Sequence, residues 1–136
     1  MNYWLLKTEP STWSWEDQIK VKKEMWDGVR NYQARNNLMK MIKGDLCFFY
    51  HSVKEKKIIG IVEVVKEYYK DPTDESAKFV VVDVKAKKVL KNQVSLERIK
   101  AEKKLSHIAL IKQSRLSVMP IDRQSWILIN KMSLTL

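Results

Sequence analysis

Apolar runs separated by polar turns predict that strands supply much of this chain. A Tyr3–Lys7 strand would end at Glu9-Pro10, because proline favours extended backbone before it and cannot donate to a sheet. Further apolar segments rich in β-branched and aromatic residues predict strands over 46–50, 58–65, 79–84 and 116–121. Residues 126–129 form another apolar segment.

Apolar residues at helical spacing and capping residues predict the helices. Either Ser11 or Ser14 would cap a short helix that carries acidic residues in its first turn. From Tyr32 to Met41 the apolar positions recur at helical spacing, and Gly44 would end that helix.

The last third of the chain predicts short helices over 94–99 and 107–111. Strands with helices between them, in a chain of 136 residues, favour a small β-barrel packed by helices over a layered parallel sheet. Neither the βαβα alternation of a Rossmann unit nor a glycine-rich phosphate loop is present. The prediction is therefore one α+β domain over residues 1–136.

Charge and composition narrow the class of function. Twenty-six Lys and Arg against 16 Asp and Glu give a net charge of +10, which attracts polyanions through counterion release. Cys47 is the single cysteine and is expected in the core, and neither histidine has metal-ligand spacing. No metal, cofactor or membrane segment is predicted, and a cytoplasmic monomer is expected.

Three stretches, 3–10, 26–36 and 48–52, combine aromatic rings with amides, hydroxyls and cations. This combination is typical of nucleobase binding, since rings stack on the base and polar groups read its edge. Trp26 precedes the turn dipeptide Asp27-Gly28, so its ring is expected on a loop where burial does not explain it. The other four tryptophans are expected to pack in the core.

Lys7, Thr8 and Glu9 leave a hydrolase open as an alternative. A lysine beside a threonine nucleophile, with a glutamate as general acid or base, is a workable catalytic set. On a strand, however, Thr8 points away from the other two, so the three converge only if the chain bends near Pro10. A protein-interaction module is a third possibility, which explains the charge but not the aromatic residues.

Several multi-residue segments follow one another along the chain. They are Tyr3-Trp4-Leu5-Leu6-Lys7-Thr8-Glu9-Pro10, Trp26-Asp27-Gly28-Val29-Arg30-Asn31 with Gln33-Ala34-Arg35-Asn36, Gly44-Asp45 before Phe49-Tyr50-His51-Ser52, Gly60, Asp71-Pro72-Thr73, and Ser114-Arg115-Leu116-Ser117-Val118-Met119-Pro120. Together, and in this order, they closely resemble the EVE domain. The resemblance implies a PUA-like fold, a small mixed β-barrel flanked by short helices. It also implies a non-enzymatic reader of a modified, methylated base in DNA or RNA.

The resemblance implies which residues contact that nucleic acid. The residues expected to bind the base are Lys7, Thr8, Pro10, Trp26, Asn31, Tyr50, His51, Ser52 and Ser117. Trp26 would stack on it, and Arg30, Arg35 and Arg115 would hold the neighbouring phosphates. The related ASCH domains share the fold and include a group that deacylates a modified cytidine, which keeps the hydrolase alternative open.

Overall fold

Six strands form one mixed sheet in the computed structural model, which describes residues 1–136. The strands are β1 (Tyr3–Thr8), β2 (Glu24–Met25), β3 (Leu46–His51), β4 (Lys57–Lys70), β5 (Val80–Ser95) and β6 (Val118–Ile121). Their order across the sheet is β2-β5-β4-β3-β1-β6. Neighbours are antiparallel except for β1 and β3, which run parallel.

Five short α-helices surround this sheet. They are α1 (Trp15–Ile19), α2 (Tyr32–Lys40), α3 (Leu96–Ala101), α4 (Ala109–Lys112) and α5 (Arg123–Met132), with a turn of 3-10 helix over Lys103–Leu105. Of the two predicted caps of the first helix, Ser14 is the cap, and its hydroxyl accepts from the Asp17 amide. None of the helices has the length and apolar character needed to cross a membrane.

The structure changes several predicted boundaries. β4 and β5 run well beyond their apolar segments as a long hairpin, because backbone pairing continues where the side chains are polar. α2 ends at Lys40, and Gly44 lies in the following turn with φ +97°. The apolar segment 126–129 belongs to α5, and the two-residue strand β2 was not predicted.

The α+β class is confirmed, but the predicted barrel is not closed. β2 and β6 lie at opposite ends of the sheet and do not pair with each other. Helix α2 contacts β6, which is one edge strand of the sheet, and β5, which lies next to the other edge strand. The amide of Asn37 on α2 donates to the Val118 carbonyl at 2.7 Å, so the helix satisfies a backbone group of the β6 edge.

The core lies where the central strands meet the helices. Phe48 and Phe49 on β3 are fully buried, as is Cys47, which confirms the prediction for the cysteine. The Trp15 ring packs directly on Gly60 of β4, where an added Cβ would lie 2.6 Å from the ring. Glycine at this position therefore allows α1 to approach the sheet.

Candidate functional site

A cleft of about 270 Å³ opens beside the carboxyl end of β1 and the short strand β2. Its lining residues are Lys7, Thr8, Thr12, Trp13, Glu24, Met25, Trp26 and Asp27. We call it the tryptophan cleft. Three of the predicted base-binding residues, Lys7, Thr8 and Trp26, come together here.

Both tryptophans of the cleft are held in place by the fold. The Trp13 indole N–H donates to the Gln18 side-chain oxygen at 2.9 Å, and Gln18 is fully buried. The Trp26 ring meets Phe49 edge-on with centroids 5.6 Å apart. A cleft with fixed rings loses little conformational entropy when a planar ligand binds between or beside them.

Trp26 corrects the prediction of a loop ring that burial does not explain. Only 7% of the residue is exposed. The Trp26 backbone N–H donates to the Val82 carbonyl at 2.8 Å, which continues the β2–β5 pairing and turns the ring inward against Phe49. Trp13, expected in the core, is partly exposed and lines the cleft.

Lys7 and Thr8 both line the cleft although they are neighbours on β1. The Lys7 ammonium donates to the Ser114 carbonyl at 2.8 Å, and desolvation lowers the pKa of this lysine. The Thr8 hydroxyl donates to the Trp13 carbonyl at 2.8 Å, which ties the loop after β1 to the strand. Glu9 is exposed and does not line the cleft, so the three residues of the hydrolase hypothesis do not converge there.

Carboxylates outnumber cations in the tryptophan cleft, although the chain as a whole is strongly basic. Glu24 and Asp27 line it together with one ammonium group, that of Lys7. Carboxylates accept hydrogen bonds from amino groups and repel phosphates. The cleft therefore suits a planar ligand that carries an amino group better than it suits an anion.

Tyr50, His51 and Ser52 do not line the cleft, although the Lys7 ammonium lies 5.8 Å from the centroid of the Tyr50 ring. The Trp15 backbone N–H donates to Nε2 of His51 at 3.1 Å, and burial lowers the pKa of this histidine although nearby Glu55 opposes the shift. Burial raises the pKa of Tyr50 to about 12. Tyr50 therefore packs in the core, and His51 anchors the start of α1.

The predicted residues Pro10 and Ser117 also lie outside the cleft. Pro10 belongs to the turn that follows β1. The Ser117 carbonyl accepts the Lys7 backbone N–H at 2.9 Å, and the Ser52 backbone N–H donates to the Thr8 carbonyl at 2.9 Å. These contacts fix the end of β1 through the backbone.

Two of the three predicted phosphate-binding arginines make contacts within the protein. Arg30 pairs with Asp71 at 2.9 Å. Asp71 has no exposed side-chain surface, and although burial raises its pKa, hydrogen bonds from Thr73 and Arg30 bring the net value below the usual range. Arg35 donates to the Asn36 side chain and to the Lys78 carbonyl. Both side chains therefore brace loops.

Arg115 and the predicted base-binding residue Asn31 line a second depression of about 310 Å³. Its lining residues are Asn31, Gln33, Lys112, Gln113, Ser114, Arg115 and Leu116, and we call it the amide groove. The Asn31 side-chain oxygen caps α2 by accepting from the Ala34 amide at 2.9 Å. The groove adjoins the tryptophan cleft through the hydrogen bond from Lys7 to the Ser114 carbonyl.

Comparison with known proteins agrees with this architecture. The family model of the EVE domain matches residues 2–132. The chain belongs to the EVE domain family. Mouse thymocyte nuclear protein 1 is 34% identical over 159 aligned positions, which cover 92% of this chain and 70% of the mouse protein.

Solved EVE-type structures superimpose on this EVE domain over almost its whole length. A Rhodopseudomonas palustris protein solved by NMR has a TM-score of 0.92 at 49% identity, covering 98% of this chain and 93% of that one. The human THYN1 protein in complex with 5-methylcytosine-containing DNA has a TM-score of 0.91 at 30% identity, covering 100% and 99%. An ASCH protein from Zymomonas mobilis shares the fold alone, with a TM-score of 0.61 at 7% identity.

Sequence reasoning missed five residues that line the tryptophan cleft of this EVE domain. They are Thr12, Trp13, Glu24, Met25 and Asp27. Trp13 and Asp27 had a usable signal, because Asp27 lies within the 26–36 stretch already singled out and Trp13 follows the 3–10 stretch after two residues. Glu24 and Met25 had none, since β2 is two residues long and forms only through its pairing with β5.

Proposed function

We propose that this EVE domain is a non-enzymatic reader that takes a methylated base of DNA, 5-methylcytosine in the first instance, into the tryptophan cleft. The likeness to the human THYN1 protein in complex with 5-methylcytosine-containing DNA carries the proposal. A base inside a duplex cannot reach a cleft of this kind, so it would be flipped out of its strand.

The size and walls of the cleft support this ligand. Its volume is about 270 Å³, and a cavity of about 150 Å³ is enough for a single benzene ring. A substituted pyrimidine is therefore an appropriate size. The rings of Trp13 and Trp26 supply apolar surface, and stacking on an aromatic side chain contributes about 1–3 kcal/mol per base.

The carboxylates of the cleft favour a base that carries an amino group. Cytosine presents its exocyclic N4 amine as a hydrogen-bond donor, whereas thymine presents a carbonyl oxygen in the same position. Asp27 is exposed at the cleft and Glu24 is partly exposed, so both can accept such a donor. 5-Methylcytosine and thymine carry the same methyl group, so these carboxylates would supply the discrimination between them.

The geometry around Thr8 favours binding over hydrolysis. The hydroxyl proton of Thr8 is donated to a backbone carbonyl, which is too weak a base to take it up during attack. Glu9, the candidate general base, lies outside the cleft. A reader needs these groups only to hold its ligand, so the arrangement suits binding.

The test compares duplexes that differ at one position, occupied by 5-methylcytosine, cytosine or thymine, by fluorescence anisotropy. We expect the 5-methylcytosine duplex to bind most tightly. Asp27→Asn should reduce the ratio of the affinity for the 5-methylcytosine duplex to that for the thymine duplex, because an amide can also donate to the thymine carbonyl. Glu97→Gln is the control, because it removes one negative charge from an exposed position on α3, just as Asp27→Asn removes one from the cleft.

Equal affinity for the three duplexes would refute the proposed reader. The hydrolase alternative is tested by incubating the protein with acylated cytidine and following product by mass spectrometry. Multiple turnovers that disappear in Thr8→Val would identify an enzyme, whereas an unchanged nucleoside is expected of a reader.

A further inference from the structure

We propose that the amide groove binds the phosphodiester backbone next to the base held in the tryptophan cleft, with Lys112 and Arg115 as its cations. The inference rests on the proposed function, since it assumes a nucleic acid whose base occupies the cleft. Of the three arginines predicted to bind phosphate, only Arg115 lines this groove, and Lys112 is the second cation.

The groove has the chemistry of a phosphate site. Two cations, three side-chain amides and a serine line it, and none of its lining residues is acidic. Phosphate oxygens accept from lysine, arginine, serine and amide groups of this kind. The neighbouring cleft has the opposite character, with two carboxylates and one lysine.

Its cations are available to a ligand. Lys112 and Arg115 are exposed, and neither forms an ion pair or a side-chain hydrogen bond within the protein. Arg30, in contrast, is paired with the buried carboxylate of Asp71. Releasing Arg30 toward DNA would leave that carboxylate buried without its partner, which is costly.

The two depressions are placed for one strand to use both. Lys7 lines the cleft, and its ammonium group donates to the backbone carbonyl of Ser114, which lines the groove. A single side chain thus separates them. A nucleotide flipped into the cleft would leave its flanking phosphates at this boundary.

The salt dependence of binding tests the groove. Each phosphate contact contributes a slope of about −0.9 to log K against log salt on B-DNA. Lys112→Gln with Arg115→Gln should therefore reduce the slope by about 1.8 and leave the ratio of affinities for 5-methylcytosine and cytosine duplexes unchanged. Arg123→Gln with Lys131→Gln is the matched control, since it removes the same charges from α5 outside both depressions.

Neutral linkages then locate the contact. A duplex with methylphosphonates flanking the 5-methylcytosine should bind the wild-type protein roughly 10- to 150-fold more weakly, the range expected for the loss of a charged hydrogen bond. The same duplex should show no such loss with the doubly substituted groove. Thermal unfolding followed by circular dichroism verifies that each variant is folded.

Three outcomes are decisive. A slope that changes no more than in the α5 control would overturn the groove assignment, and so would a changed base preference, because Lys112 and Arg115 would then contact the base. If the wild-type protein shows no preference for 5-methylcytosine yet the groove variant loses its salt slope, the groove assignment stands and the reader proposal fails.

Discussion

Replacing the two tryptophans of the cleft one at a time should show that Trp26 chiefly stabilises the fold and that Trp13 chiefly contributes to ligand binding. Trp26 is buried and contacts Phe49, so Trp26→Ala removes a large core side chain. Such truncations cost about 3–5 kcal/mol, a large part of the 5–15 kcal/mol typical of a domain. We therefore expect Trp26→Ala to destabilise the fold severely.

Trp13→Ala should act chiefly on the ligand. Trp13 is partly exposed, and the group that loses its partner is the Gln18 side-chain oxygen, which water entering from the cleft can solvate. The stability cost should be about 1–2 kcal/mol. Loss of one stacking ring, worth about 1–3 kcal/mol, predicts roughly 5- to 150-fold weaker binding of the 5-methylcytosine duplex.

Urea unfolding gives the free energy of unfolding. Fluorescence anisotropy gives the affinity for the duplex, measured without urea and at a temperature at which each variant is folded. Tyr32→Ala, which removes an exposed ring on α2, is the control and should leave base preference unchanged. The reasoning would be refuted if Trp13→Ala bound like the wild type, or if Trp26→Ala unfolded at the wild-type urea concentration.

Three further predictions concern the framework around the site. Gly60→Ala should destabilise the domain by about 1–3 kcal/mol in urea unfolding, because its Cβ would collide with the Trp15 ring, and an unchanged midpoint would contradict that packing. Burial lowers the pKa of His51 below 6.5, so the unfolded chain takes up the proton first and the free energy of unfolding should fall as pH drops from 6.5 through the folded-state pKa. His51→Gln should flatten that dependence, and an equally steep profile in the variant would assign it to another group. Asp71→Ala should lower the free energy of unfolding by about 1–3 kcal/mol, because the Gly28 and Thr73 donors lose their acceptor while the partly exposed Arg30 can turn to solvent, and an unchanged free energy of unfolding would show that these contacts are dispensable.

The sequence alone was sufficient for features set by neighbouring residues. The strand β1, a serine cap at either Ser11 or Ser14, and the buried position of Cys47 were all predicted, because alternation, capping and apolar runs act within a few residues. The α+β class followed from the same local patterns. The EVE resemblance was equally available, since its motifs are continuous segments.

Only the tertiary structure decided which side chains share a surface. Lys7 and Asp27 meet in one cleft because β2 pairs with β5. This pairing joins distant segments, and a strand of two residues has no sequence pattern from which it could be predicted. Arg30 and Arg115 looked alike in sequence, yet Asp71 holds the first while the second is free. Whether a cation, a ring or a hydroxyl is available to a ligand depends on partners far along the chain, and those partners are fixed only when the chain folds.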